Sequence, residues 1–189
     1  PNSYGTTRAS NGPRHIAVPG FHLGFEVAAQ PDGVPGVNAS GDRDEEGVYF
    51  PEPLVPGTTV TLEVQASASG WLDAWFDWNR NGAFDHRPAA GLNEYLGDTV
   101  EGHLTPGTSY PLQPGLNRLR LPVPPQASTG GSYARFRFSH DGSLTPSGAA
   151  GAGEVEDHRI DIYPGPPDFG DAPDFENSPG YPTLPSHDG

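Results

Sequence analysis

The sequence predicts an all-β fold, an antiparallel β-sandwich of jelly-roll or Ig-like type with long Pro/Gly-rich loops. Three observations carry this. Apolar residues fall in short runs that alternate with period two. Each run is bounded by Gly, Pro, Asn or Asp. No window places apolar residues at i, i+3, i+4 and i+7 without an interrupting Gly or Pro, which leaves little room for helix.

Six runs read as strands. Val48 and Phe50 flank Tyr49. Val60, Leu62, Val64 and Ala66 alternate with Thr59, Thr61, Glu63 and Gln65. Leu72, Ala74, Phe76 and Trp78 alternate with Asp73, Trp75 and Asp77. Leu119, Leu121 and Val123 alternate with Arg118, Arg120 and Pro122. Ala134, Phe136 and Phe138 alternate with Arg135, Arg137 and Ser139, and Ile160 and Ile162 enclose Asp161. Strands with one apolar face need a second sheet to cover them. The register predicts a core of Val60, Leu62, Val64, Leu72, Phe76, Leu119, Leu121, Phe136, Phe138, Ile160 and Ile162, with Arg118, Arg120, Arg135 and Arg137 in solvent. The stretch 79–95 reads as a connection crossing between the sheets.

The 189 residues hold 26 Gly and 23 Pro, a content that in an evenly diluted chain would signal disorder. Here it reads as turns between strands. Twenty-four acidic against 10 basic residues give a net charge of −14, which disfavours nucleic acid and anionic lipid as partners. The absence of Cys excludes disulfides, thiolate catalysis and soft-metal sites. No apolar run is long enough to insert in a membrane. An extracellular protein without disulfides needs another clamp, and calcium is abundant outside cells.

Carboxylates gather at three strand ends, where a divalent cation would neutralise them. The most specific cluster is Asp77-Trp78-Asn79-Arg80-Asn81-Gly82-Ala83-Phe84-Asp85. Oxygen side chains at Asp77, Asn79 and Asn81 followed by Gly82 match the first half of a calcium loop, in which alternate residues turn inward and Gly permits the bend. The Ala83 carbonyl stands at loop position seven and Asp85 at position nine. Position twelve is Pro88, so the loop is not an EF-hand. The competing reading is an Asn-Gly hairpin turn with Asn79 and Asn81 in Asx-turns. The second cluster, Asp42-Arg43-Asp44-Glu45-Glu46-Gly47, makes Asp42 and Asp44 further candidate ligands; its alternative is a solvated loop. The third, Gly153-Glu154-Val155-Glu156-Asp157, offers Glu154, Glu156 and Asp157 to the same ion or a neighbouring one; its alternative is a charged strand edge that resists aggregation.

The ends echo one another. Tyr4 and Tyr181, and Gly12 and Gly189, are each separated by 177 residues, while Pro1 and Pro173 are 172 apart, which implies a five-residue insertion near 176–180. That period signals an array of whole domains.

These clusters, in this order, resemble the GEVED domain family of large bacterial surface and secreted proteins. Gly153-Glu154-Val155-Glu156-Asp157 spells the motif, although His158 stands where the family usually has Tyr. Phe76-Asp77-Trp78-Asn79-Arg80-Asn81-Gly82 matches its aromatic loop. Asp168-Phe169-Gly170-Asp171-Ala172-Pro173-Asp174 matches the opener often joined to such domains, and Tyr4-Gly5-Thr6 with Asn11-Gly12-Pro13-Arg14-His15 matches the sequel. The resemblance implies a repeat unit over 1–163, whose own opener lies before residue 1, and a linker with the next repeat's opening segment over 164–189. It implies a non-enzymatic, calcium-stabilised structural repeat of an extracellular or cell-surface bacterial fibre or adhesin, assembled head-to-tail with neighbouring copies.

Other chemistries weigh less. Ser139-His140-Asp141 alternates across a strand and forms no triad. The seven His show no zinc spacing, and the pair Glu154 and Glu156 is thin support for a glycosidase. The alternative function is a calcium-dependent carbohydrate-binding module, with glycans stacking on Trp71, Trp75, Tyr49, Tyr95 and Tyr133. Trp75 is read either as exposed or as packed beneath a long loop.

Overall fold

The structure, a computed structural model, describes residues 4–25, 47–85, 92–101 and 107–165. Eight strands form two sheets: β1 (Arg14–Ile16), β2 (Val48–Tyr49), β3 (Thr59–Ala66), β4 (Gly70–Phe76), β5 (Tyr110–Leu112), β6 (Gly115–Pro122), β7 (Gly130–Ser139) and β8 (Ala149–Ile162). The larger sheet has the order β1-β8-β7-β4-β5 and the smaller β2-β3-β6. Helix among the described residues amounts to a 3-10 turn at Arg8–Ser10 and one α-turn, α1, at Leu96–Thr99. The sandwich expected from the alternation is present.

The smaller sheet behaves as period two dictates. In β3 every second residue is buried, and Val60, Leu62 and Val64 pair with Leu121, Leu119 and Asn117 of β6. The opposite face is solvated, and there Arg118 pairs with Glu63 and Arg120 with Glu101, each at 2.8 Å. Across the gap, β4 and β7 present Leu72, Ala74, Phe76, Ala134, Phe136 and Phe138, all completely buried. Phe76 stacks on Trp78 and meets Phe136 edge-on. Every residue of the expected core is buried.

The larger sheet corrects one expectation. Arg135 and Arg137 are not in solvent; each is 1% exposed, and their apolar neighbours are buried as well. The register therefore stands, and β7 is covered on both faces. The roof over its outer face comes from the distant N-terminal strap (residues 4–16) and from the turn at 141–148 that follows β7. Arg135 forms a bidentate pair with Asp157 of β8, both contacts 2.6 Å, and also donates to the carbonyls of Pro146 and Tyr4. Arg137 donates to the carbonyls of Thr145, Ser147 and Gly148 and to His15 Nε2. A buried guanidinium needs all its donors satisfied, and main-chain oxygens satisfy most of them here.

Two short strands and a long one depart from the sequence reading. β1 joins the edge of β8 in parallel, with an irregular register between Arg14 and Ile16, so the sheet is mixed. β5 contains Pro111 and lies at the other edge, where the missing N–H is tolerated. β8 begins at Ala149, so Gly153-Glu154-Val155-Glu156-Asp157 lies mid-strand. Gly153 is required by close approach: a Cβ there would stand 2.1 Å from the Phe138 carbonyl oxygen and 2.4 Å from the His15 ring.

His15 latches the strap and sets a pH dependence. Burial first, then the Arg137 charge, lowers its pKa to about 4. The unfolded chain binds this proton below pH 6.5, so the stability due to neutral His15 is complete above that pH. It is lost as pH falls toward 4. Denaturant unfolding from pH 7 to 4 should show His15→Gln, which can still accept from Arg137, losing less stability than wild type, by on the order of 2–3 kcal/mol. Parallel loss in both proteins would refute the latch.

Candidate metal centre

The loop 77–85 is built on the end of β4. Asp77 is completely buried. Its Oδ1 accepts the N–H of Asn81 at 3.0 Å, and its Oδ2 accepts the N–H of Gly82 at 3.0 Å and the Tyr4 hydroxyl at 2.6 Å. Asn79 Oδ1 accepts from Asn81 N–H and Asn81 Oδ1 from Ala83 N–H, both at 2.8 Å, while Asn81 Nδ2 donates to Asp85 at 2.9 Å. The Asx-turns foreseen by the competing reading are therefore formed. They do not exhaust the oxygens, because each amide oxygen has a second lone pair. Gly82 takes φ +84° at the bend, which L side chains rarely adopt.

Anchors outside the loop hold it. Arg80, with φ +57°, donates to the carbonyls of Gly131 and Thr129 at 3.0 and 2.6 Å. Ser132 Oγ donates to the Asp77 carbonyl at 2.6 Å. The Tyr4 ring lies 4.9 Å from Phe84 and 5.0 Å from Tyr133. Burial and the neighbouring Asp77 carboxylate raise the Tyr4 pKa, so its hydroxyl remains a donor.

The functional residue that sequence reasoning missed is Glu94. The chain returns beside β4, where Glu94 accepts Phe76 N–H through its own carbonyl and Tyr95 bridges to Trp75. The Glu94 side chain is 0% exposed. Its Oε2 accepts Asp85 N–H at 2.8 Å, and its Oε1 has no hydrogen-bond partner. Burial first, with the charges of Asp77 and Asp85 adding, raises its pKa to about 7. No periodicity marks Glu94; the only hint was its place at the end of the long 79–95 connection.

The other candidates lie elsewhere. Asp157 shares the outer face of the sheet with the loop but is engaged by Arg135. Glu154 and Glu156 pair across from Phe138 and Phe136 and point between the sheets, so they do not share a site with Asp77. Glu154 accepts the N–H of Leu23 at 2.6 Å, and Glu156, buried, meets His158 at 2.9 Å with its Oε1 unpartnered. Asp42 and Asp44 lie outside the described residues. Of the aromatic platform, Trp75 and Tyr95 are buried against one another and Tyr133 packs on Tyr4, leaving Trp71 and Tyr49 exposed on different sheets. His140 stacks on Phe21 at 3.8 Å, and Ser139 Oγ accepts Gly142 N–H, an arrangement unrelated to a triad.

In donor chemistry the loop fits calcium: hard oxygens of Asp77, Asn79, Asn81, Asp85 and Glu94, one of them a buried carboxylate oxygen without a partner. Among the described residues no three His, Cys, Asp or Glu side chains already converge at metal-ligand spacing. Amide and main-chain oxygens, the Ala83 carbonyl included, would have to complete the shell. A bound calcium would supply neutralising charge and rigidity to this loop.

Fold and site define a non-helical β-sandwich module with an acidic, aromatic-flanked loop at one strand end. The GEVED domain model matches residues 71–161, which span β4 to β8 and contain both the loop and the motif strand. Over that span the chain is similar to the GEVED domain, as the order of its acidic clusters implied. No curated protein and no solved structure matches it.

Two outcomes follow from these electrostatics. Because the folded-state pKa of Glu94 lies above its ordinary 4.5, its contribution to stability is complete below pH 4.5 and lost as pH rises through about 7. In EDTA, Glu94→Gln should therefore be more stable than wild type at pH 8 by about 2–3 kcal/mol and indistinguishable near pH 4. Equal stability at pH 8 would contradict the strained carboxylate. Asp157→Ala leaves the Arg135 guanidinium buried and unpaired, and should cost about 3–5 kcal/mol by urea denaturation.

Proposed function

We propose that this chain is a calcium-stabilised structural repeat of a bacterial cell-surface or extracellular fibre, joined head-to-tail to neighbouring copies, with no catalytic role. The observation that carries the calcium reading is Glu94. Its buried carboxylate has an oxygen without a partner and stands beside Asp77 and Asp85. A like-charged group in this position is unfavourable unless it is protonated or meets a cation. The match of residues 71–161 to the GEVED domain model supports the repeat reading, as do the paired tyrosine and glycine positions at the two ends. All ten basic residues are arginine, and there is no cysteine. Neither a lysine isopeptide nor a disulfide within these 189 residues can then reinforce the joint, which leaves non-covalent contacts and a bound ion.

Calcium at 100 times its dissociation constant should stabilise the fold by about 2.7 kcal/mol, about 5–10 °C in melting midpoint for a chain of this length. Scanning calorimetry in calcium against EDTA reads it directly. Glu94→Gln should lose most of that shift. No shift in wild type at millimolar calcium would reject the calcium reading, and tandem copies that tumble as independent beads in small-angle scattering would reject the fibre reading.

A further inference from the structure

Tyr4 joins the N-terminal strap to the 77–85 loop. Tyr4 donates to Asp77 Oδ2 at 2.6 Å, its ring is flanked by Phe84 of the loop and Tyr133 of β7, and its carbonyl accepts from Arg135 at 3.3 Å. Two of the residues it touches, Asp77 and Phe84, belong to the loop. Downstream, the strap is held by the irregular pairing of β1, by the Asn11 carbonyl accepting Gly148 N–H and by His15. At its upstream end Tyr4 carries the strap's hydrogen bond to Asp77.

A donor on the outer oxygen of a metal-binding carboxylate fixes that carboxylate's orientation and basicity. With Gly82 N–H and the Tyr4 hydroxyl both on Oδ2, Oδ1 carries a single bond, from Asn81, and has the greater capacity for an ion. We propose that Tyr4 couples the strap to the loop: calcium in the loop tightens the docking of residues 4–16, and the docked strap tightens the ion by the same factor. The inference rests on the calcium reading above. Reciprocity is thermodynamic, since two binding events that share a coupling free energy change each other equally. The strap is also the segment that resembles the sequel of a repeat's opener, so occupancy of the loop sets how firmly a joint is held to the domain that follows it.

Calorimetric titration with calcium chloride, paired with hydrogen exchange at residues 4–16 in calcium and in EDTA, tests this on the full chain. Wild type should bind calcium and gain protection across the strap. Tyr4→Phe keeps the ring between Phe84 and Tyr133 and removes only the hydroxyl. It should bind calcium about tenfold more weakly, with the calcium-induced protection reduced by a similar factor. A wild type that binds calcium without change in the strap overturns the coupling and leaves the calcium reading standing, as does a Tyr4→Phe variant of wild-type affinity. A wild type that takes up no calcium overturns both.

Discussion

Arg135 is the point at which the separate parts of this domain are tied together. Its guanidinium is buried, bidentate to Asp157 on β8, within reach of the Tyr4 carbonyl of the strap and the Pro146 carbonyl of the 141–148 turn, and 4.9 Å from the Phe84 ring of the acidic loop. Its planar fork of donors suits it to this, where a lysine would offer a point charge. Removed from water, the cation has to be fully hydrogen-bonded, and no single neighbouring element supplies enough acceptors. Strand, strap, turn and loop must all be in place at once.

The consequence is a domain with two interiors of different chemistry. Between the sheets lies an apolar layer in which Leu62, Val64, Leu119 and Leu121 face Leu72, Phe76, Phe136 and Phe138; burial of apolar area drives its formation without direction. Over the outer face of β4 and β7 lies a polar layer of Arg135, Arg137, Asp157, His15, Asp73 and Asp77. Within it Asp73 accepts from Tyr95, Ser109 and Leu144 N–H. Hydrogen-bond geometry specifies this layer, so it fixes which segment covers which strand. The motif strand serves both: Gly153 admits His15, Asp157 neutralises Arg135, and Glu154 and Glu156 on the other face receive the N–H of Leu23 and the His158 ring.

This division explains what the sequence disclosed. The apolar layer was legible because period two over Thr59–Ala66 and Gly130–Ser139 is imposed by one buried face. The polar layer was not. Alternation cannot distinguish an arginine facing water from one facing the carbonyl groups of a following turn and of Tyr4, and Arg135 and Arg137 were assigned to solvent on that ground. The first half of β8 escaped notice because Ala149, Ala150, Gly151, Ala152 and Gly153 have little strand preference of their own. Pairing with β1 at Ala149 and Ala152 and with β7 at Gly153 imposes their conformation. The loop was legible from its alternating oxygens, yet Glu94 was not, because only the return of the chain along β4 brings it to Asp85.

The contrast between two buried acids bears most directly on the cation. Asp73 and Glu94 are both wholly removed from solvent. Asp73 receives three donors over its two oxygens and lies across the strand pair from Arg137, so the protein satisfies it from its own resources. Glu94 accepts the N–H of Asp85, has the N–H of Asn79 close by, leaves Oε1 without a well-formed hydrogen bond, and faces Asp77 and Asp85. No arginine pairs with any of these three among the described residues. Arg80, which sits in the same loop, turns instead to the carbonyls of Thr129 and Gly131. Guanidinium groups satisfy much of the buried polar layer elsewhere, and among the described residues none reaches Glu94, Asp77 or Asp85. Under the calcium proposal, an external cation of oxygen preference would supply the counter-charge at this place.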